Sequence, residues 1–184
     1  MGDPIFLSLW LRGYSALALP VYFKKAVKTF PHSKLKPRGV LRVYALSFQE
    51  APQLEEFIDG EIDAQEMVEL AQQFLHEDCA FQLETSWDVY QWDGEWELKP
   101  AKVMIEVFGP EFDTPCGEQV RIDFGPEGLF LPNEQSDQLR PVQSNIRSLL
   151  HYAQDLENEL SVDRRTLWSE EEDNFADRLR AMLD

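Results

Sequence analysis

The chain has 184 residues, 43% of them hydrophobic and 12% aromatic, and a formal net charge of −17. This length and apolar content exclude a disordered chain and favour one domain with its own hydrophobic core. No run of about 18 uncharged apolar residues exists, which argues against a membrane-spanning helix. The early apolar run from Ile5 to Arg12 follows an acidic residue rather than a basic one, so we interpret it as a core strand and not as an export signal.

The charge is divided unevenly along the chain. Residues 1–49 carry a net charge of +7, and the remaining 135 residues carry −24. Opposite charges on two parts of one chain favour attraction within the fold or between copies. The two cysteines, Cys79 and Cys116, have no spacing typical of a metal site and do not indicate a disulfide. Since no export or lipidation signal is recognisable, we expect a cytoplasmic protein.

The first 50 residues predict a strand, a helix and a second strand. The run from Ile5 to Arg12 is nearly continuous apolar, which is typical of a strand covered on both faces. The helix begins near Pro20, a favoured residue in a first turn. Its apolar face consists of Phe23, Ala26, Val27 and Phe30. The second strand spans residues 40–48, and because a helix connects the two strands, we expect them to be parallel with a right-handed crossover.

The middle of the chain predicts a short helical turn, a longer helix and a meander of antiparallel strands. The turn spans residues 52–58 and stops at Gly60. The longer helix spans residues 63–78, with Asp63 as its N-cap and Glu66 completing a capping box. From Cys79 to Leu131 the hydrophobic period changes to two. This pattern predicts strands over residues 79–92, 95–108, 118–124 and 129–131.

Two helices are predicted near the C-terminal end. One spans residues 141–160, and the other spans 169–184 with Ser169 as its cap and Glu172 at its third position. The whole pattern predicts an α+β fold. It consists of a mixed sheet with an N-terminal βαβ unit followed by an antiparallel meander, helices packed on one face, and two C-terminal helices. We divide the chain into a sheet domain over residues 1–134 and a helical extension over residues 135–184, which packs on that domain or projects from it.

The segment SWDVYQWDGEWEL, residues 86–98, contains three of the five tryptophans. Asp93-Gly94 is a strong signal for a two-residue hairpin turn. Because side chains alternate across a sheet, this turn places Trp87 and Trp96 on the buried face and Trp92 on the other face. The exposure of Trp92 then decides whether the hairpin is a binding surface or part of the scaffold.

The two-residue register fails further from the turn, where it sets apolar residues against acidic ones. We therefore expect a β-bulge between Pro100 and Lys102, since proline within a sheet is confined to edges, strand starts and bulges. The surface beside the turn is the first candidate for a ligand or partner. It consists of Asp88, Tyr90, Trp92, Glu95, Glu97 and Phe108. The alternative is that the C-terminal helices cover these residues.

Other motifs are weaker. A basic patch offers the best contact for phosphate or nucleic acid, and it consists of Lys24, Lys25, Lys28, Lys34, Lys36 and Arg38. The large negative charge elsewhere opposes nucleic-acid binding. Residues 55–66 resemble the end of an EF-hand loop, but Phe57 stands where an oxygen ligand is required. We expect no metal ion and no cofactor, because no histidine pair has metal spacing and no nucleotide-binding loop is present.

The sequence favours a non-enzymatic protein–protein interaction module that binds a basic partner or a second copy of itself through a negative surface. We assign no catalytic residue, and we expect neither nucleic acid nor a membrane as a partner. The alternative is a small enzyme or ligand-binding domain with a pocket near Tyr90 and Trp92 under the C-terminal helices.

Overall fold

A computed structural model describes residues 2–114, 116–170 and 174–183 of the chain. These residues form seven strands and four α-helices. The strands are β1 (Pro4–Leu11), β2 (Arg38–Ala45), β3 (Leu54–Asp59), β4 (Cys79–Trp92), β5 (Trp96–Phe108), β6 (Val120–Pro126) and β7 (Val162–Trp168). The helices are α1 (Leu19–Thr29), α2 (Ala64–Ala71), α3 (Arg140–Glu159) and α4 (Phe175–Ala181).

One sheet contains all seven strands, in the order β3-β2-β4-β5-β6-β1-β7. The α+β class, the initial strand–helix–strand order, the meander and the C-terminal helices are confirmed. The expected mixed sheet is replaced by one in which every pairing of the described residues is antiparallel. Strands β1 and β2 point in the same direction, but β4, β5 and β6 lie between them. The local pattern predicts a strand's existence, whereas its neighbours depend on contacts that are distant in sequence.

The helices lie on one face of the sheet, and the main hydrophobic core fills the space between the two layers. Strand residues alternate between the faces, so that Phe81, Leu83 and Trp87 of β4 point into this core. Helix α1 buries the predicted stripe that begins at Phe23, and α3 buries a longer one that includes Tyr152. An isolated helix as short as α1 is marginal in water, so burial of its stripe stabilises it.

The β4–β5 hairpin has a different turn from the predicted one. Trp92 pairs with Trp96, so the loop contains three residues and not two. The loop consists of Asp93, Gly94 and Glu95, and Gly94 adopts a φ of 79°. The register is then constant along both strands, and the predicted bulge at Pro100 is wrong. The third loop residue supplies the shift of one residue that the hydrophobic pattern requires.

This register also changes which tryptophan is buried. Trp96 lies directly opposite Trp92, on the same face of the hairpin, and not beside Trp87. Trp87 is buried as expected, with 2% exposure, but Trp92 and Trp96 are both half-buried. Their rings meet edge to face, with centroids 5.5 Å apart.

Residues predicted as a helical turn form the edge strand β3. Leu54 and Ile58 pack against the core, and β3 pairs with β2 along its whole length. The local sequence favours a helical turn because leucine and glutamate are good helix formers, but pairing with β2 overrides that preference. After β3, the predicted N-cap is confirmed: the Asp63 carboxylate accepts the backbone N–H groups of Gln65 and Glu66.

The C-terminal region contains a strand that the sequence pattern did not reveal. Strand β7 lies between α3 and α4 and pairs with β1. Helix α4 begins at Phe175 with Asn174 at its N-cap, and not at the predicted Ser169, while Glu172 lies outside the described residues. The strand predicted over residues 129–131 is absent. Residues 127–129 form a 3-10 turn, and residues 130 and 131 form a bend.

Candidate functional site

The hairpin tip carries four of the six residues predicted to form a ligand or partner surface. Tyr90 and Trp92 are half-buried, and Glu95 and Glu97 are exposed. The segment before α3 contacts this tip. Trp92 Nε1 donates to Gln135 Oε1 at 3.1 Å, and the neighbouring ring of Trp96 donates in the same way to a serine of this segment at 2.9 Å. Both indole N–H groups are therefore engaged by the chain itself.

Helix α3 holds the backbone of the same strand. Pairing of β2 with β4 reaches only as far as Glu84, so the rest of the β4 edge has no neighbouring strand. The buried side chain of Asn145 takes that place at Tyr90, where it accepts the backbone N–H at 2.8 Å and donates to the backbone carbonyl at 2.9 Å. It also donates to the carbonyl of Leu129 at 2.8 Å. These contacts make the hairpin part of the scaffold.

Asp88, another residue of the predicted surface, fixes the loop that follows α1. Its carboxylate accepts hydrogen bonds from the hydroxyl of Ser33 and from the backbone amides of Lys34 (2.9 Å) and Leu35 (3.2 Å). Because the Asp88 carboxylate accepts three hydrogen bonds from this loop, its role is to hold the loop in place.

The prediction that Phe108 belongs to the ligand or partner surface is wrong. Phe108 is 1% exposed and presents no surface to a partner. It belongs to a second hydrophobic cluster on the face of the sheet that lacks helices. The cluster consists of Ala80, Phe108 and Phe112, with Tyr44 and Phe48 packed against it. The loops that carry Phe48 and Phe112 cover this part of the face, which no pattern within β5 could indicate.

The predicted basic patch extends over α1 and the loop that follows it. Lys28, Lys34, Lys36 and Arg38 are exposed, and Lys24 and Lys25 are half-buried. Lys25 Nζ donates to the carbonyl of Glu159 at 3.3 Å. The nearby rings of Phe23 and Phe30 are buried in the core, so they are not free to stack on bases.

A more continuous charged surface lies along the β3 edge of the sheet, where Arg38 of the basic patch is opposite Asp59. Residues 43–98 contain 15 acidic residues and neither lysine nor arginine. Strand β3, helix α2 and their connection, residues 54–71, form what we call the acidic edge. Its exposed carboxylates are those of Glu55, Glu56, Asp59, Glu61, Asp63, Glu66 and Glu69. The long stretch without basic residues indicates this surface in the sequence. It was not identified from the sequence, because the local pattern predicts a helical turn where β3 lies.

Phe57 stands in the middle of the acidic edge and is 72% exposed, an unusual position for a large aromatic ring. It lies on β3, which pairs with β2 on one side and is the last strand of the sheet on the other. The ladder between β3 and β2 is regular, without a bulge. The opposite edge strand, β7, pairs with β1 across a register shift between Trp10 and Leu11. The two free edges therefore differ.

A groove of about 450 Å³ adjoins Phe57 on the face of the sheet that lacks helices. Its apolar walls include Val40, Phe57 and Pro100, and charged side chains of Arg38 and Lys102 lie among its lining residues. The groove forms because the β4–β5 hairpin extends beyond the end of β2. Gly39 permits this close approach, since a Cβ there would lie 2.8 Å from the carbonyl oxygen of Glu84.

A row of polar side chains crosses the same face from β3 to β6. Each member lies directly opposite the next across the strands. In order, the row consists of Glu55, Arg42, Gln82, Glu106 and Arg121, joined by hydrogen bonds of 2.8, 3.3, 2.9 and 3.0 Å. Burial raises the pKa of the Glu106 carboxyl, and the charge of Arg121 opposes that shift. Both neighbours of the buried Glu106 in this row bond to its carboxylate, so we interpret Glu106 as a structural residue.

The described residues contain little that supports catalysis. Burial raises the pKa of the Cys79 thiol, which disfavours the thiolate required of a nucleophile. Both ring nitrogens of His32 form hydrogen bonds within the protein, to Thr85 and to the backbone carbonyl of Val27. No group of three or more histidine, cysteine, aspartate or glutamate side chains in residues 2–114, 116–170 and 174–183 could hold a metal ion.

Comparison with protein-family models, curated proteins and solved structures finds no significant match to this chain. Within the described part of the chain, no helix is long and apolar enough to cross a membrane. Only the geometry and charge of this molecule therefore indicate its function.

Proposed function

We propose that the protein is a non-enzymatic interaction module that binds a basic partner protein through its acidic edge. The observation that carries the proposal is the exposed Phe57 on a free sheet edge, flanked along β3 by carboxylates in a stretch of sequence without any basic residue. A contiguous exposed apolar patch rimmed by polar residues marks an interaction site, and Phe57 forms such a patch with the groove lined by Val40 and Pro100. A concentrated negative surface also steers a positively charged protein towards encounter.

A foreign basic partner has more support than a second copy of the chain. Two copies each carry a formal charge of −17 and repel each other at long range. The alternative of a ligand pocket near Tyr90 and Trp92 has less support, because Gln135 and Asn145 already bond to those residues. We place the protein in the cytoplasm, where its two free cysteines stay reduced.

The test compares two variants with the same net charge. The edge variant carries Glu56→Gln, Asp59→Asn, Glu61→Gln and Glu66→Gln. The control variant carries Glu95→Gln, Glu97→Gln, Glu134→Gln and Asp137→Asn, all at exposed positions outside the acidic edge. The probe is a labelled 12-residue peptide of alternating lysine and valine, and fluorescence anisotropy at 0.15 M NaCl measures its dissociation constant.

We expect the edge variant to bind the peptide about tenfold more weakly than the unmodified protein. Four exposed ion pairs at a few tenths of a kcal/mol each sum to about 1.4 kcal/mol, which is a factor of ten. The control variant should change affinity by less than about twofold. Equal weakening in both variants would show attraction by net charge without a site, and no binding to the unmodified protein would overturn the proposal. A dimer in light scattering that the edge variant abolishes would favour self-association instead.

A further inference from the structure

We infer that the partner supplies an extended basic segment, which adds to the free edge of β3 as a further strand and places an apolar side chain beside Phe57. This inference rests on the proposed function and specifies how the partner is held. Addition of a strand to a sheet edge is a common mode of peptide recognition, in which backbone hydrogen bonds give affinity and side-chain pockets give specificity.

The backbone of β3 offers the hydrogen bonds that this mode requires. Gly60 N–H donates to the carbonyl of Pro37 at 3.1 Å, just beyond the first pair of the β2–β3 ladder. Antiparallel pairs alternate between bonded and non-bonded positions. Counting from Gly60, the N–H and C=O groups of Asp59, Phe57 and Glu55 point away from β2 and towards the free edge. Three residues of a partner strand can therefore pair with them.

The side chains of the same three residues set the chemistry of that strand. They share one face of the sheet, with Phe57 in the centre and a carboxylate on each side. Glu55 bonds to Arg42, whereas Asp59 and Glu56 make no ion pair among the described residues. A partner strand with an apolar residue beside Phe57 and a lysine or arginine beside Glu56, on the opposite face, matches this arrangement. The apolar residue would extend into the groove that Val40 and Pro100 line.

Proteins protect free edges with bulges, prolines, charged side chains and short strands. Strand β7 has such protection, because a register shift interrupts its pairing with β1 and Arg164 stacks on Trp10 at 3.8 Å. Strand β3 has a regular ladder and an exposed aromatic ring, and its charges are all negative. Two β3 edges from two copies would oppose like charges, so this edge repels copies of itself and accepts a basic strand.

The first experiment removes the backbone hydrogen bonds from the probe and keeps its charge. The lysine–valine peptide is compared with the same peptide N-methylated at every second residue, in both possible phases. We expect N-methylation in one phase to weaken binding at least tenfold, because it blocks the edge that faces β3. N-methylation in the other phase should weaken binding much less.

The second experiment locates the contact by amide hydrogen exchange, measured by NMR with and without the unmethylated peptide. We expect the amides of Glu55, Phe57 and Asp59 to gain protection. The amides of Glu56 and Ile58 already bond within the β2–β3 ladder and should change little. Such alternation is characteristic of strand addition and does not arise from diffuse attraction between charges.

The third experiment tests the role of the ring. Phe57→Thr keeps a residue that favours strands, and Leu98→Thr is its control, because Leu98 is another exposed apolar residue on a strand at 45% exposure. We expect Phe57→Thr to weaken peptide binding about fivefold and Leu98→Thr to leave it unchanged. Hydrogen exchange in the free variants shows whether β3 remains paired with β2.

The outcomes separate the two proposals. If both N-methylated peptides bind as well as the parent and the edge variant still binds weakly, strand addition is overturned while the basic-partner proposal stands. Protection at amides outside β3 would also overturn strand addition. If no basic peptide binds the unmodified protein, both proposals fail.

Discussion

Two polar residues in the loop between α1 and β2, His32 and Ser33, show how single side chains fix this fold. Ser33 contacts Asp88, as described above, and His32 joins the same loop to the helix and to β4. His32 Nε2 lies 2.8 Å from the carbonyl oxygen of Val27, so this nitrogen carries the hydrogen. Burial disfavours the charged ring, so the folded state favours the neutral imidazole. In that form Nδ1, 2.7 Å from Thr85 Oγ1, accepts the hydroxyl hydrogen.

This geometry predicts a dependence of stability on pH. Burial lowers the pKa of His32 below its ordinary value of 6.5, so the unfolded chain binds the proton more tightly than the folded protein does. The contribution of His32 is fully present above pH 6.5 and is lost as the pH falls through 6.5 towards the folded-state pKa. We expect the free energy of unfolding, measured with urea between pH 7.5 and 5, to fall more in the unmodified protein than in His32→Gln. Parallel curves would contradict the assignment.

At the scale of elements, the long β4–β5 hairpin is supported in two ways. Near β2 it is the centre of the sheet, and beyond β2 its free edge is held by α3 and by the loop after α1. A buried backbone group without a partner is costly, so these side-chain contacts replace the missing strand. They also explain why the sequence placed Asp88 on a candidate binding surface: a carboxylate beside aromatic residues gives the same sequence pattern in a binding site and in a structural contact.

Asn145→Ala should therefore destabilise the protein more than its small size suggests. The substitution leaves the backbone N–H and carbonyl of Tyr90 and the carbonyl of Leu129 without their partner, at about 1–3 kcal/mol for each group that water does not reach. We expect a loss of stability in urea denaturation and faster hydrogen exchange at the Tyr90 amide. Gln154→Ala, on the exposed face of the same helix, serves as the control and should have little effect. Unchanged exchange at Tyr90 would contradict the role of Asn145.

At the scale of the whole molecule, charge opposes the compact state. The net charge is −17, and 15 of the acidic residues lie in one stretch of 56 residues without a basic one. Self-repulsion of this kind destabilises a folded protein and is screened by salt, over a length of about 10 Å at 0.1 M.

We therefore expect the free energy of unfolding to increase as NaCl is raised from 0.02 to 0.5 M. The edge variant, which has four fewer negative charges, should be more stable at low salt and should gain less from added salt. Urea denaturation at a fixed pH measures both effects. A decrease in stability with NaCl would show that attractive ion pairs outweigh the repulsion.

The sequence by itself determined the α+β class, the stripes of α1 and α3, the Asp63 cap and the meander, because each follows from periodicity or capping within a short segment. Tertiary structure decided the antiparallel order of the sheet and the identity of β3 and β7 as strands, since pairing depends on distant partners. It also decided the burial of Phe108 and the exposure of Phe57. Alternation predicts which residues share a face, but only the packed molecule shows which face is covered.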